Sequence, residues 1–115
     1  AICDALLGAA NLRDIGYHFP DTSKEYKGID SKILLKDVMI MVREKGFEIN
    51  NVDTTVILQK PKIKDYIPEM VKKLASCLQI SEEDVSVKAT TSEKMGFTGR
   101  EEGIAALATV LIMKY

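Results

Sequence analysis

Val85-Ser86-Val87-Lys88-Ala89-Thr90-Thr91-Ser92-Glu93-Lys94-Met95-Gly96-Phe97-Thr98-Gly99-Arg100 is the stretch on which the reading of this chain turns. Val85, Val87 and Ala89 alternate with Ser86, Lys88 and Thr90, the period-two pattern of a half-buried strand over residues 85–91. The chain then passes through hydroxyls, one carboxylate, two glycines and an arginine within ten residues. Hydroxyls and backbone N–H groups suit phosphate oxygens. A carboxylate suits the hard divalent cation that accompanies phosphates. The strand therefore ends in a corner fit for phosphate and metal.

Working outward, Val52 to Gln59 is a second alternating, β-branched run and predicts a strand, broken by Lys60-Pro61-Lys62. Between the two strands a helix is expected from about Asp65, with Pro68 tolerated in its first turn and Ile67, Val71, Leu74 and Leu78 as its apolar stripe. Ser81 to Asp84 turns the chain into the 85–91 strand. Residues 1 to about 11 read as the back end of a helix, and residues 12–30 as a long loop. Asp30 or Ser31 can cap the next helix, whose buried face is read as Ile33-Leu34, Val38 and Met41-Val42 and which Gly46 ends. Ile104 to Met113 is apolar throughout, and periodicity alone does not separate helix from strand there. A strand–helix–strand crossover puts its helix on one face of the sheet. The fold class is α+β, with helices packed on one face of a small mixed sheet. Apolar residues on both faces of such a sheet point to an oligomer.

With 115 residues the chain is expected to be one domain, 1–115. A net charge of −1 gives no broad electrostatic case for nucleic acid or an anionic membrane, and no apolar run reaches the length of a membrane span. Cys3 and Cys77 have no CxxC spacing and read as two thiols in a reducing compartment. No signal-peptide pattern opens the chain. It begins at Ala1 inside an apolar helical pattern of Ile2, Leu6, Leu7 and Ala10, without a capping residue, so an N-terminal segment is expected to be missing.

Four segments, Asp14-Ile15-Gly16, Phe19-Pro20-Asp21-Thr22, Pro61-Lys62 and Thr90-Thr91-Ser92-Glu93 with its glycine loop, stand in one order and spacing that resembles the 2-C-methyl-D-erythritol 2,4-cyclodiphosphate synthase family. The resemblance covers essentially the whole chain in one register. It implies a strand over the last apolar segment and a homotrimer with each site between two subunits. The implied reaction is conversion of 4-diphosphocytidyl-2-C-methyl-D-erythritol 2-phosphate to the 2,4-cyclodiphosphate with release of CMP, in the non-mevalonate route to isoprenoids. The implied enzyme is a metal-dependent phosphorus–oxygen lyase using zinc and magnesium or manganese.

Residue by residue, the resemblance implies that Thr90, Thr91, Ser92 and Glu93 hold the diphosphate, with Thr91 and Glu93 catalytic and Glu93 the magnesium or manganese ligand. Asp14, with Ile15 and Gly16, takes the erythritol hydroxyls, and Phe19, Pro20, Asp21, Thr22 and Ser23 lie on a loop over the substrate. Leu58, Gln59, Lys60, Pro61, Lys62, Ile63 and Lys64 form the cytosine pocket, largely through backbone groups. Phe97 and Arg100 join the substrate set, with Glu101, where the family usually has glycine, expected to neutralise Arg100. The zinc ligands are not in this sequence, and Asp4 is assigned to orient a zinc-binding histidine just upstream of Ala1. His18, the lone histidine, is read as a local hydrogen-bond partner. The chain as given is thus expected to bind nucleotide without turning over. The implied partners are a cytidine diphosphate substrate and two further copies of the chain, with no nucleic acid and no membrane. Bacterial cytoplasm is the preferred location, or plastid stroma in a plastid-bearing organism. The rival reading is a non-catalytic trimeric nucleotide- or ligand-binding module.

Overall fold

The computed structural model describes residues 1–20 and 30–115. The helices are α1 (Ile2–Ala9), α2 (Ile15–His18), α3 (Ser31–Glu44), α4 (Ile67–Leu78) and α5 (Gly96–Gly99). The strands are β1 (Phe47–Ile57), β2 (Val85–Thr90) and β3 (Ala105–Lys114). They form one three-stranded sheet in the order β2-β1-β3. β1 runs parallel to β2 and antiparallel to β3, so the sheet is mixed as expected. The α4 crossover between β1 and β2 is what allows the parallel pair.

Alternation decides which face the helices cover. Ile49, Val52 and Thr54 of β1, Val85 and Val87 of β2, and Val110 and Ile112 of β3 turn toward them. The core beneath is built from Leu6 and Leu7 of α1, Val38 and Val42 of α3, Val52 of β1 and Leu78 of α4, all fully buried. On the opposite face Leu107, Leu111 and Met113 stand 59%, 56% and 49% exposed. Their β1 neighbours across the ladder are Thr55, Asn51 and Glu48.

Asp30 does cap α3, its carboxylate accepting from the Lys32 amide at 2.9 Å. The helix is rotated from the expected phase: Leu35, Val38, Met39 and Val42 are buried, whereas Ile33 is 50% exposed. Apolar residues occupy most of α3, so several phases satisfy a 3.6-residue period and the packing partner chooses among them. β1 begins at Phe47 rather than Val52 and ends at Ile57 rather than Gln59. A register shift between Ile49 and Asn51 breaks the alternation that would have revealed its first half. The 12–30 segment is not all loop, since Ile15–His18 forms one helical turn.

Two cations tie the helix ends down. The Lys45 ammonium donates to the carbonyls of Ala10 (2.5 Å) and Asn11 (3.1 Å), capping the end of α1. The Arg43 guanidinium reaches Glu48 (2.7 Å), the Leu78 carbonyl (3.0 Å), Gln79 (3.2 Å) and the sulfur of Met39. It thereby joins the ends of α3 and α4 to the start of β1.

Candidate functional site

Where β1 and β2 part, the chain makes a hollow of about 130 Å³ lined by Leu58, Gln59, Pro61, Lys62, Ile63 and Lys64 on one side and Ala89, Thr90 and Thr91 on the other. The Leu58 amide donates to the Thr90 carbonyl at 3.0 Å, one rung beyond the strand pair Ile57–Thr90. Leu58 is buried and forms the floor, whereas Pro61 and Lys62 stand exposed at the rim. The Lys60–Pro61 bond is cis. The structure therefore brings together two segments that are distant in sequence, six of the seven residues assigned to a nucleotide pocket and the first two of the phosphate corner.

Beyond Thr91 the chain turns sharply. Glu93 and Lys94 both sit in the left-handed region, at φ 56° and 64°. Such residues are disfavoured by their own β-carbons and need outside support. The Glu93 amide donates to Thr91 Oγ1 at 3.3 Å, the Lys94 amide to Gln59 Oε1 at 3.2 Å, and the Met95 amide to the Ser92 carbonyl at 3.0 Å. The Ser92 hydroxyl donates to the Met95 carbonyl at 2.7 Å and lies 2.7 Å from Thr98 Oγ1. Ser92 has one proton, so the buried Thr98 hydroxyl is the donor in that second bond. Glu93 is left exposed and, among the described residues, has no ion-pair partner. A lone outward carboxylate beside two threonine hydroxyls is a donor set that fits one ligand position of a magnesium or manganese ion.

Gly99 explains the helical turn that the sequence reading treated as a glycine loop. A β-carbon there would lie 2.2 Å from the Lys94 carbonyl carbon, so α5 packs its backbone directly against the turn. Phe97 is half exposed and stands against Gly103, where a β-carbon would lie 3.4 Å from its ring. The expected pairing of Glu101 with Arg100 is corrected: Arg100 Nε meets Glu102 at 2.6 Å, while Glu101 Oε1 lies 3.8 Å from the ammonium of Lys60. Glu101 is itself left-handed, at φ 63°, in the bend that follows α5. Lys60 is turned to that pair and is absent from the lining of the hollow.

The other predicted residues form a second group at the end of α1. Asp14 precedes α2 in extended backbone, with its carboxylate beside Gly16. Asp4 Oδ1 accepts from the Ile15 amide at 2.8 Å, so one of its oxygens ties α1 to the start of α2. Ile15 and Phe19 are partly buried against the core, and Pro20 is exposed. His18 Nε2–H donates to the Leu12 carbonyl at 2.5 Å, the local role expected of it. Asp21, Thr22 and Ser23 lie outside the described residues. Among the described residues no group of three or more His, Cys, Asp or Glu side chains is placed to hold a metal. Missed from sequence were Ala89, Thr98 and Glu102. Thr98 carried a usable signal, a second hydroxyl six residues from Ser92 in a turn-rich stretch.

A larger hollow, about 300 Å³, lies between the helices and the sheet and is lined by Ile2, Cys3, Leu35, Val56, Leu74 and Val87 among others. It contains none of the predicted site residues. Burial pushes the Cys3 thiol above its ordinary pKa, which keeps it protonated.

Comparison with known proteins gives a match to the YgbB family over residues 1–113. The 2-C-methyl-D-erythritol 2,4-cyclodiphosphate synthase of Parabacteroides distasonis is 64% identical over 114 residues, which is 99% of this chain and 71% of that protein. The enzyme of that name from Bacteroides fragilis is 62% identical over 112 residues, 97% of this chain and 70% of that one. Among solved structures, the bifunctional IspDF from Campylobacter jejuni matches with a TM-score of 0.94 at 46% identity, over 98% of this chain and 31% of that chain. The Plasmodium falciparum IspF in complex with CDP matches with a TM-score of 0.86 at 34% identity, over 99% of this chain and 68% of that one.

Proposed function

The chain belongs to the YgbB family, and on that premise we propose that it serves the reaction its relatives are named for. In that reaction 4-diphosphocytidyl-2-C-methyl-D-erythritol 2-phosphate becomes 2-C-methyl-D-erythritol 2,4-cyclodiphosphate and CMP, a step of isoprenoid synthesis by the non-mevalonate route. The observation that carries this reading is the continuity of the 58–64 hollow with the turn bearing Glu93. One end suits a base held by backbone groups, and the other suits phosphates and a cation.

An oxygen of the 2-phosphate attacks the phosphorus nearer the erythritol. The bond from that phosphorus to the bridging oxygen breaks, and CMP leaves with the electron pair. No side chain becomes covalent, so the protein's contribution is orientation and charge stabilisation. Leu58, Gln59 and residues 61–64 hold the cytosine. Thr91 Oγ1, which accepts from the Glu93 amide, keeps its own proton to donate to a phosphate oxygen, and Thr90 Oγ1, which here donates to the Thr91 carbonyl at 3.3 Å, would turn its proton to the phosphate. Glu93 would hold magnesium or manganese, which would supply charge neutralisation for the leaving phosphate. Asp14 meets the erythritol hydroxyls. Zinc has no ligand set among the described residues. Asp4, with one oxygen committed to Ile15, has the other to orient a zinc-binding histidine.

A homotrimer follows from the same reading and is supported by Leu107, Leu111 and Met113 on the open sheet face. The test is calorimetric titration of CDP in the presence of manganese and again in EDTA. The reading expects binding that strengthens with the metal. Binding indifferent to metal would favour a non-catalytic nucleotide module, and no binding in either buffer would overturn the site.

A further inference from the structure

We propose that Gln59 is a positioning residue whose side-chain carbonyl, acting through the Lys94 amide, sets the Glu93 carboxylate against the 58–64 hollow and so couples nucleotide binding to divalent-cation binding. The inference rests on the function proposed above. It concerns one hydrogen bond that spans 35 residues of sequence.

The geometry of that bond is what gives it reach. The Lys94 nitrogen belongs to the same rigid peptide plane as the Glu93 carbonyl. Fixing the nitrogen therefore fixes the orientation of the Glu93 α-carbon and the direction in which its side chain leaves. Two other bonds support the turn, from Glu93 N to Thr91 Oγ1 and from Met95 N to the Ser92 carbonyl, but both are local. The first ties the turn to Thr91 on the β2 side of the hollow, and the second holds only the turn's own shape. Gly99 limits it from the far side, by packing against the Lys94 backbone. Among the described residues, Gln59 supplies the hydrogen bond that holds it from the 58–64 side of the hollow.

Gln59 is placed for both tasks. It follows Leu58, whose amide makes the last rung to Thr90, so it leaves the sheet where β1 and β2 diverge. It lines the hollow together with Thr90 and Thr91, and its side chain crosses the gap to the turn. A ligand that shifts residues 58–64 thus shifts the acceptor that holds Glu93. By linkage, a cation that fixes Glu93 fixes the hollow in return, by the same factor.

The test compares the unaltered protein with Gln59→Met, which keeps the side chain's length and removes the acceptor, and Gln59→Glu, which restores an acceptor. CDP affinity is measured in EDTA and in manganese, manganese affinity is measured by electron paramagnetic resonance with and without CDP, and exchange of the Lys94 amide is followed by NMR. In the unaltered protein each ligand should strengthen the other by a factor of about 10, within the usual range of such couplings. Gln59→Met should lower the coupling factor, the ratio of CDP affinities in manganese and in EDTA, to about 2 or below whatever the affinity in EDTA becomes, and speed Lys94 exchange about tenfold. Gln59→Glu should recover most of the coupling. If the methionine variant loses its unfolding transition, Gln59→Ser, too short to reach Lys94, takes its place. Coupling that survives the loss of the acceptor, or an equal loss of CDP affinity in both buffers, overturns the inference and makes Gln59 only a wall of the hollow. Failure of the unaltered protein to bind CDP at all overturns instead the functional reading on which it rests.

Discussion

Gly99→Ala is a one-carbon change aimed at the turn that carries Glu93. The added β-carbon would lie 2.2 Å from the Lys94 carbonyl carbon, 2.6 Å from its α-carbon and 2.8 Å from its oxygen. All three are backbone atoms, so no flexible side chain can swing away. Restoring ordinary contact requires a displacement of about 1.2 Å of one backbone relative to the other. Overpacking of this kind costs about 2–3 kcal/mol. For a domain of this size that is a fall in Tm of about 10 °C, measured at fixed protein concentration. The same displacement carries Lys94 away from Gln59, so manganese-dependent CDP binding should weaken along with stability. Gly8→Ala is the counterpart: nothing lies within 4 Å of its added carbon, and it sits inside α1. It should stabilise by about 0.5–1 kcal/mol. Thermal unfolding followed by circular dichroism reads both. A Gly99→Ala protein that melts with the unaltered one and binds CDP equally well would refute the close approach of α5 to the turn.

On the proposed function, Glu93→Gln should remove most CMP release, a loss of about 3 kcal/mol of transition-state stabilisation, and change unfolding stability by less than about 0.5 kcal/mol because the side chain is exposed; steady-state kinetics and a melt check the two halves. Thr98→Val should cost about 1 kcal/mol, since it removes the bond that the buried Thr98 hydroxyl donates to Ser92 and leaves Ser92 only its bond to the Met95 carbonyl, as read from chemical denaturation. Asp14→Asn should weaken substrate binding while CDP affinity in a direct titration stays nearly constant, because Asp14 lies outside the hollow. If the proposed trimer forms through the open sheet face, Leu111→Lys should sediment as a smaller species than the unaltered protein, since Leu111 projects from that face and a charge there opposes burial.

How much of this was legible beforehand depended on whether a local signal existed. β2 and the stripe of α4 were legible because alternation and helical spacing were clean there. The first half of β1 was hidden by the irregularity at Asn50, which shifts the side-chain alternation between Ile49 and Asn51. The phase of α3 was ambiguous because apolar residues outnumber the positions its core face needs, which leaves Ile33 and Ile40 about half exposed. One-turn helices such as α2 and α5 are too short to show a period at all. In the site, the residue types of the Thr90–Glu93 corner were readable, but its support was not. The Gln59–Lys94 bond and the approach of Gly99 to Lys94 join positions by three-dimensional proximity alone, with no spacing rule to announce them. Glu102 displaced Glu101 as the partner of Arg100 because the bend after α5 puts Glu101 in left-handed backbone and turns it toward Lys60.

The central claim is that an oxygen of the substrate's own 2-phosphate, and not water, attacks the phosphorus held at the Thr90–Glu93 corner. Phosphorus NMR of 4-diphosphocytidyl-2-C-methyl-D-erythritol 2-phosphate incubated with the protein in the presence of zinc and manganese tests this directly. The account predicts CMP and the cyclic diphosphate in equal amounts, with both product phosphorus atoms coupled through their shared oxygen. CMP accompanied by the open-chain bisphosphate, or an unchanged substrate spectrum, would contradict it.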